Sequence, residues 1–279
     1  MIPDRPPLVD RPALLRLRAR ATFMGLREAV AAETHERILE VNRTFTAPAL
    51  VSPFPHVWAP LLPGATVVPD EPLLALREGA HDLVVHDLCL HWAEDPLGQI
   101  AQSARALKPD GLLLATLFAG RTLADLRAAL ASAEAEATSG LSPRILPFGE
   151  IRDLGGLLGR AGLALPVADA TPFTLSYDGA WALMRDLRRM GEGNALAGRL
   201  RRPTRRDVLG AAAARYPLAD GRALARFEVV TLTGWAPAPS QPKALRPGSA
   251  TRSLAEALEL AKKDPGGSIP PDPRDRSDA

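Results

Sequence analysis

A short, strongly apolar segment near the middle of the chain constrains the fold most. Asp82–His86 is a β-branched run between polar flanks, which is typical of a strand buried on both faces of a parallel sheet. Asp95 followed by Pro96 has the form of a helix start, with a capping side chain and a first-turn proline. A second apolar run, Leu112–Phe118, follows that helix. The sequence therefore predicts a strand–helix–strand unit with parallel strands.

The same alternation continues on both sides of this unit. Residues 12–41 carry apolar side chains at helical spacing, with a break near Gly25. Strands alternating with helices imply an α/β fold with a mostly parallel sheet and helices on both faces. The remaining predicted strands are residues 49–52, 65–68, 173–177 and 227–233, and the remaining predicted helices are 72–78, 122–137, 151–160, 179–190 and 205–215.

We divide the chain into four parts. Residues 1–45 are an N-terminal helical segment, and residues 46–237 are an α/β domain with helical insertions. Residues 238–263 are a loop and a last helix, which Ser253 and Glu256 would cap. Residues 264–279, rich in Pro, Gly and Asp, are predicted to be a disordered tail.

Composition excludes several kinds of site. The 279 residues carry a net charge of +2 without long basic blocks, so no nucleic-acid partner is expected. Cys89 is the one cysteine, which rules out an intrachain disulfide and multi-cysteine metal sites, and no metal site is predicted. No run approaches the roughly 20 apolar residues of a membrane helix. We therefore predict no transmembrane segment and a cytoplasmic location.

Several motifs together resemble the S-adenosylmethionine-dependent methyltransferases of class I. LHW at residues 90–92 and LKPDG at residues 107–111 are similar to elements around the fourth and fifth strands of the type 11 group. Three further stretches resemble a branch of respiratory complex I assembly factors and their alphaproteobacterial relatives, with the biotin-pathway carboxyl methyltransferase as a more distant cousin. These stretches are LMRDLRRMGEGNA (183–195), FEVVTLTGWAP (227–237) and SQPKALRPGSA (240–250).

The resemblance implies a Rossmann-like class I methyltransferase fold and S-adenosylmethionine as the cofactor. It also implies a protein substrate, with a subunit or an assembly intermediate of complex I as the partner. The implied cofactor-binding residues are Asp70 and Glu71 near the adenine edge, together with His86, Asp87 and Leu88 at the end of the best predicted strand. No catalytic residue is predicted.

The cofactor loop departs from the methyltransferase pattern. The first strand should end in an acidic residue and a glycine-rich turn, since glycine lets the backbone approach the cofactor. Val51 stands where the acid is expected, and Pro53–Pro55 replace the turn. The stretch from Val51 to Asp70 is also about half as long as two complete crossovers need. The sequence thus predicts a fold truncated in its cofactor half, and leaves two hypotheses: an enzyme, or a non-catalytic assembly factor that has lost its cofactor.

The candidate substrate or partner site follows the best strand. Open α/β sheets bind ligands at the carboxyl ends of their strands, where His91 and Trp92 are expected. The resemblance adds Tyr177, Met190, Glu192 and Asn194, and the arginine cluster at 199–206, which could bind phosphate or an acidic protein partner, adds Arg202. Structural interpretations stay open: a histidine beside a tryptophan can be a packed lid, acids at residues 70–71 can suit a helix dipole, and arginines 199–206 can be a solvated helix entrance.

Overall fold

The structure is a computed structural model that describes residues 6–138 and 140–241. The predicted helix at 253–263 and the predicted tail at 264–279 lie outside the described residues. The strands are β1 (Pro48–Val51), β2 (Thr66–Val68), β3 (His81–His86), β4 (Leu107–Ala119), β5 (Ala164–Tyr177), β6 (Leu218–Ala219) and β7 (Arg222–Trp235). The helices are α1 (Arg11–Arg18), α2 (Gly25–Glu40), α3 (Pro96–Ala106), α4 (Ala124–Thr138), α5 (Ile151–Arg160), α6 (Ala180–Arg189) and α7 (Arg206–Arg215), with single 3₁₀ turns at Pro55–Val57 and Leu90–Trp92.

The seven strands form one sheet in the order β2-β1-β3-β4-β7-β5, with β6 paired to β7. β1 is parallel to β2 and β3, and β3 is parallel to β4, whereas β7 runs antiparallel to β4 and β5. The predicted α/β class and mostly parallel sheet are confirmed. Among the described strands, one lies beyond β1, while the doubly wound order 3-2-1-4-5-6 places two there. This is the predicted truncation of the cofactor half.

Helices cover both faces of the sheet. On one face, Ile100 of α3 and Leu158 of α5 join Leu113 of β4 in one buried cluster. On the other, helices α2, α4, α6 and α7 bury their apolar faces against Phe118 and Phe227. All six residues of β3 are buried, as a central parallel strand requires. Helices consequently pack on both faces of the part of the sheet at which β1 to β4 end.

Two local predictions were wrong. Residues 72–78 form no helix; instead the Leu74 N–H donates to the side chain of Gln102 on α3, so α3 rather than an intrahelical bond satisfies this backbone. Thr122 does not cap α4, which begins at Ala124. Its hydroxyl donates to the Ala119 carbonyl and accepts from the Glu228 N–H, which ties the end of β4 to β7.

The N-terminal arm, residues 8–24, crosses to the segment 189–197 that follows α6. Asp10 caps α1 by accepting from the Ala13 N–H (3.0 Å). Backbone hydrogen bonds then fix the arm along its length: the Asp10 N–H donates to the Ala195 carbonyl (2.7 Å), the Ala197 N–H to the Leu8 carbonyl (2.9 Å) and the Thr22 N–H to the Arg189 carbonyl (2.7 Å).

Gly191 lets the arm approach this segment closely. It has φ +78°, and a Cβ there would lie 3.2 Å from Arg18 Cα. We therefore expect Gly191→Ala to lower the free energy of unfolding by about 1–2 kcal/mol, through backbone strain and the close contact. Urea unfolding followed by circular dichroism measures the change.

Gly210→Ala is the matched control, because Gly210 lies within α7 and a Cβ there meets open space. It should raise stability by about 0.5–1 kcal/mol through helix propensity. Equal stability of Gly191→Ala and the wild type would show that the arm tolerates a side chain at this contact.

Candidate functional site

Asp70, directly after β2, is clamped by two arginines of the arm. Its side chain is 5 % exposed. Arg11 donates to both carboxylate oxygens at 3.1 and 3.0 Å, and Arg18 does so at 2.8 and 2.9 Å. Burial alone would raise the pKa of Asp70, but the hydrogen bonds and charges of these guanidinium groups outweigh it and lower that pKa. The acid that the resemblance assigns to the cofactor is therefore held by the chain itself.

The turn after β1 is filled in the same way. The Ser52 hydroxyl donates to Asp87 (2.7 Å) and accepts from the Phe54 N–H (3.0 Å). Phe54 is 6 % exposed, and the guanidinium carbon of Arg27 lies 4.7 Å from its ring centroid. The two prolines on either side supply no N–H donor. No backbone donor of Pro53–Pro55 is left to face a cofactor.

These residues do not fit S-adenosylmethionine. A groove of about 470 Å³ lies between the arm, the Pro53–Pro55 turn and Asp70–Glu71. The buried polar atoms without a partner there are N–H donors, namely Nε of Arg11 with Nε and Nη2 of Arg18. Guanidinium donors could hold the carboxylate of the cofactor, but they disfavour its cationic sulfonium, and ribose hydroxyls would have to displace both arginines from Asp70. Glu71 is 47 % exposed and lies 3.4 Å from Arg11.

The remaining predicted cofactor residues are buried, and all except Asp87 are satisfied by their neighbours; Asp87 accepts the Ser52 hydroxyl at Oδ2, while its Oδ1 has no hydrogen-bond partner among the described residues. His86 Nε2 donates to Gln99 Oε1 (2.8 Å), since the Gln99 amide N–H is used on the Glu71 carbonyl. Cys89 lies 3.3 Å from His86 Nδ1, and burial raises the pKa of this thiol well above its usual value while lowering the pKa of His86. This Cys–His pair is thus neutral and buried, unlike an activated thiolate. The Leu88 N–H donates to Thr116 Oγ1 (2.9 Å).

Glu192 connects α2 to the 3₁₀ turn that follows β3. Arg27 Nη2 donates to its Oε1 (2.6 Å), and Trp92 Nε1 donates to its Oε2 (2.8 Å). Burial would raise the pKa of Glu192, but the neighbouring His91 and the Arg27 charge lower it well below its usual range. These neighbours therefore favour the charged form of the buried Glu192 carboxyl.

His91 lies beside this carboxylate and is neutral. Its Nδ1 accepts the Phe118 N–H (3.4 Å), which assigns the proton to Nε2. Nε2 is 3.6 Å from Glu192 Oε2, beyond hydrogen-bond distance, and has no other partner among the described residues. Burial lowers the pKa of His91.

Two cavities flank the His91 ring at the carboxyl ends of β3 and β4. One, here named the aromatic cavity, measures about 210 Å³ and lies beneath α4, α6 and α7. Its lining includes His91, Trp92, Phe118, Phe148, Glu192 and Asn194. The other, about 640 Å³, is lined by His91, Glu94, Phe118 and Phe148 among others.

The structure brings four of the seven predicted substrate or partner residues together at the aromatic cavity: His91, Trp92, Glu192 and Asn194. The other three do not line it. Tyr177 donates to Asp186 (3.1 Å), Met190 is buried in the cluster under α6 and α7, and Arg202 is exposed. Nearby Arg199 and Arg201 are bound to Asp10 (both 2.9 Å).

Sequence reasoning missed the three arginines that fill the cofactor edge, Arg11, Arg18 and Arg27. A signal existed for Arg18, because it lies four residues after Leu14 and so on the same apolar face of a helix. No group of His, Cys, Asp and Glu that could hold a metal occurs within the part of the chain that the structure describes. A search of the same residues finds no helix with the length and apolarity to cross a membrane.

We expect Asp70→Asn to lower the free energy of unfolding by about 3 kcal/mol, because buried Arg18 loses its charged partner. The difference between wild type and variant should be full above about pH 4, since the folded pKa is depressed. It should shrink as the pH falls and Asp70 takes up a proton. Urea unfolding of both proteins from pH 2.5 to 7 measures it.

Glu71→Gln is the control, since this acid is half exposed and should contribute less than about 0.5 kcal/mol. A pH-independent difference for Asp70→Asn, or one no larger than that of the control, would mean that the clamp is not a charged buried pair.

Comparison with known proteins identifies relatives over most of the chain. The zebrafish (Danio rerio) protein "Arginine-hydroxylase NDUFAF5, mitochondrial" is 37% identical over 205 residues, covering 72% of this chain and 64% of its own length. A Xylella fastidiosa malonyl-[acyl-carrier protein] O-methyltransferase is 38% identical over 185 residues, covering 65% and 60%. The chain thus spans somewhat less than two thirds of the curated relatives it matches.

Among solved structures, a Bacillus halodurans protein described as a methyltransferase superimposes with a TM-score of 0.48 at 13% identity. The superposition covers 74% of this chain and 98% of the Bacillus chain. No model of a known protein family matches the chain. The sequence relatives and the strand order agree with each other and with the predicted resemblance. The chain belongs to the class I methyltransferase-fold family and, within it, is related to NDUFAF5.

Proposed function

We propose that this chain is a non-catalytic methyltransferase-fold protein that binds a protein partner during the assembly of respiratory complex I. The observation that carries the first half is the Asp70 clamp, in which Arg11 and Arg18 take the carboxylate that would bind the cofactor. Both arginines of the clamp belong to the N-terminal arm. Freeing the Asp70 carboxylate for a cofactor would therefore require the arm to move away from the end of β2. The clamp therefore supports a function that does not use the cofactor.

Two observations support the proposed protein partner: the relatives of the chain and the cavity at the ends of β3 and β4. The carboxyl ends of β3 and β4 keep a cavity lined mostly by apolar side chains, whereas the groove at β1 and β2 has its carboxylate, Asp70, held by Arg11 and Arg18. The NDUFAF5 relatives are named arginine hydroxylases, and the motifs at 183–195 and 227–237 resemble complex I assembly factors. We accordingly propose a protein from complex I as the binding partner, and no nucleic-acid partner.

Catalysis with S-adenosylmethionine is the competing function. The groove of about 470 Å³ beside Asp70 is the observation in its favour, and methyl transfer needs mainly alignment of a nucleophile with the sulfonium. The relatives also include an O-methyltransferase.

An in vitro transfer assay separates the two functions. The tagged chain is purified from its native host with bound complex I intermediates, then incubated with S-adenosylmethionine labelled in the methyl group. We expect complex I subunits to be recovered and no label to enter them. Label above that of a heat-inactivated sample would contradict the non-catalytic proposal, and absence of complex I subunits would contradict the partner.

The exposed arginines provide a variant for the same pull-down. Arg202 and Arg206 are exposed and form no ion pair among the described residues, unlike Arg199, Arg201 and Arg205. If this surface contacts an acidic partner, Arg202→Glu with Arg206→Glu should reduce recovery of complex I subunits at least tenfold, about 1.4 kcal/mol.

The control for this pair is Arg152→Glu with Arg160→Glu, two exposed arginines on α5. Unchanged recovery for the 202/206 pair, or equal loss for both pairs, would remove this surface from the proposal.

A further inference from the structure

The aromatic cavity is apolar except at one end. Its walls are mostly rings and aliphatic side chains, including Trp92, Phe118, Phe148, Leu126, Met184 and Leu187. At about 210 Å³ it exceeds the engineered cavity of about 150 Å³ that holds benzene. It reaches the surface beside Arg188, which is exposed. A single aromatic ring with a small substituent therefore matches its size and lining.

The polar end presents a donor and an acceptor side by side. The donor is His91 Nε2–H, which is buried and unpartnered. The acceptor is Glu192 Oε2, 3.6 Å away, which receives only Trp92 Nε1–H among the described contacts and keeps a free lone pair. Because Nε2 has almost no accessible surface, a hydroxyl that accepts from His91 and donates to Glu192 requires the side chains at this end to move slightly apart.

Charge in the lining disfavours ionic ligands. Arg27 already neutralises Glu192 at 2.6 Å, and Arg144 is held by Glu134 at 2.7 Å. Beside His91 a carboxylate ligand would be repelled by Glu192, since the exposed Arg188 can attract an anion only at the surface end of the cavity. An ammonium group would have to be desolvated beside His91 and apolar walls. A neutral group remains that combines an aromatic ring with a hydroxyl.

We propose that the aromatic cavity binds a phenol group, with its ring between α4, α6 and the two phenylalanines and its hydroxyl bridging His91 and Glu192. Phenols suit such a site because the ring contributes apolar burial and the hydroxyl finds partners when buried. The source is either the tyrosine side chain of a partner or a free small phenol. In the first case the inference rests on the proposed function and names the residue by which the partner is anchored.

Binding of p-cresol and of toluene to the purified chain tests the proposal without any complex I component. The two probes share size and shape and differ in the hydroxyl. We expect p-cresol to bind about tenfold or more tightly than toluene, since toluene leaves His91 unpaired. In ¹⁵N-labelled protein, p-cresol should shift the indole N–H resonance of Trp92, whose partner is Glu192.

Filling the cavity supplies the variant. Met184→Trp should abolish p-cresol binding, whereas Met184→Leu, which nearly conserves volume, should leave it within about threefold of wild type. Equal affinity for both probes, or no shift of the Trp92 resonance, would overturn the proposal even if Met184→Trp failed to fold. If Met184→Trp still binds p-cresol, the phenol binds elsewhere, and this result would overturn the proposal as well.

A second pair of probes distinguishes the sources. Binding of N-acetyltyrosinamide in preference to N-acetylphenylalaninamide would identify a side chain presented on a backbone. Binding of p-cresol without N-acetyltyrosinamide would identify a free small phenol, while the proposed cavity chemistry would stand. Failure of the complex I pull-down with intact p-cresol binding would separate the partner from the cavity.

Discussion

The ion pairs between the N-terminal arm and Asp70 are the interaction on which the rest of this edge depends. A buried carboxylate is costly to desolvate, and it is retained here because two guanidinium groups occupy both of its oxygens. The same arginines need Asp70, since Arg18 is itself buried. Neither side can be removed alone without leaving an uncompensated charge, so the arm and the end of β2 are stable only together.

This coupling divides the carboxyl edge of the sheet into two parts. At β1 and β2, the arm arginines, Phe54 and the two prolines line a groove of about 470 Å³ in which the groups that would bind a cofactor are held by the chain itself. At the ends of β3 and β4, aromatic and aliphatic side chains surround the aromatic cavity, which is large enough for a small ligand. Glu192 connects the two parts, because it binds Arg27 on one side and Trp92 on the other. Changes at Arg27 of α2 can therefore reach the cavity through a single carboxylate.

The sequence was most informative where structure is local. Asp95–Pro96 starts α3 as predicted, with the Asp95 carboxylate accepting the Gly98 N–H, and α5 spans the predicted residues. β5 could not be delimited, because its first half pairs with β7 far along the chain while its own side chains are largely exposed. The helix predicted at 72–78 failed because α3 supplied the hydrogen-bond partner for that backbone.

The candidate site could be predicted only in part, for the same reason. His91, Trp92 and Glu192 were expected at one site from position and resemblance, and they do line one cavity. The clamp was not expected: Arg18 and Asp70 are distant in sequence, and a pairing of that kind leaves no periodicity to read. The lack of glycine in the turn predicted that cofactor binding is impaired. It did not predict that arginines of the arm bind Asp70 at this position.

Calorimetric titration of the purified chain with S-adenosylmethionine tests the central claim most directly, with a malonyl-[acyl-carrier protein] O-methyltransferase as the positive control. We expect no saturable heat up to millimolar cofactor, because Arg11 and Arg18 hold Asp70 and the Pro53–Pro55 turn offers no backbone donor. A dissociation constant in the micromolar range would contradict this and would show that the arm yields its place to the cofactor.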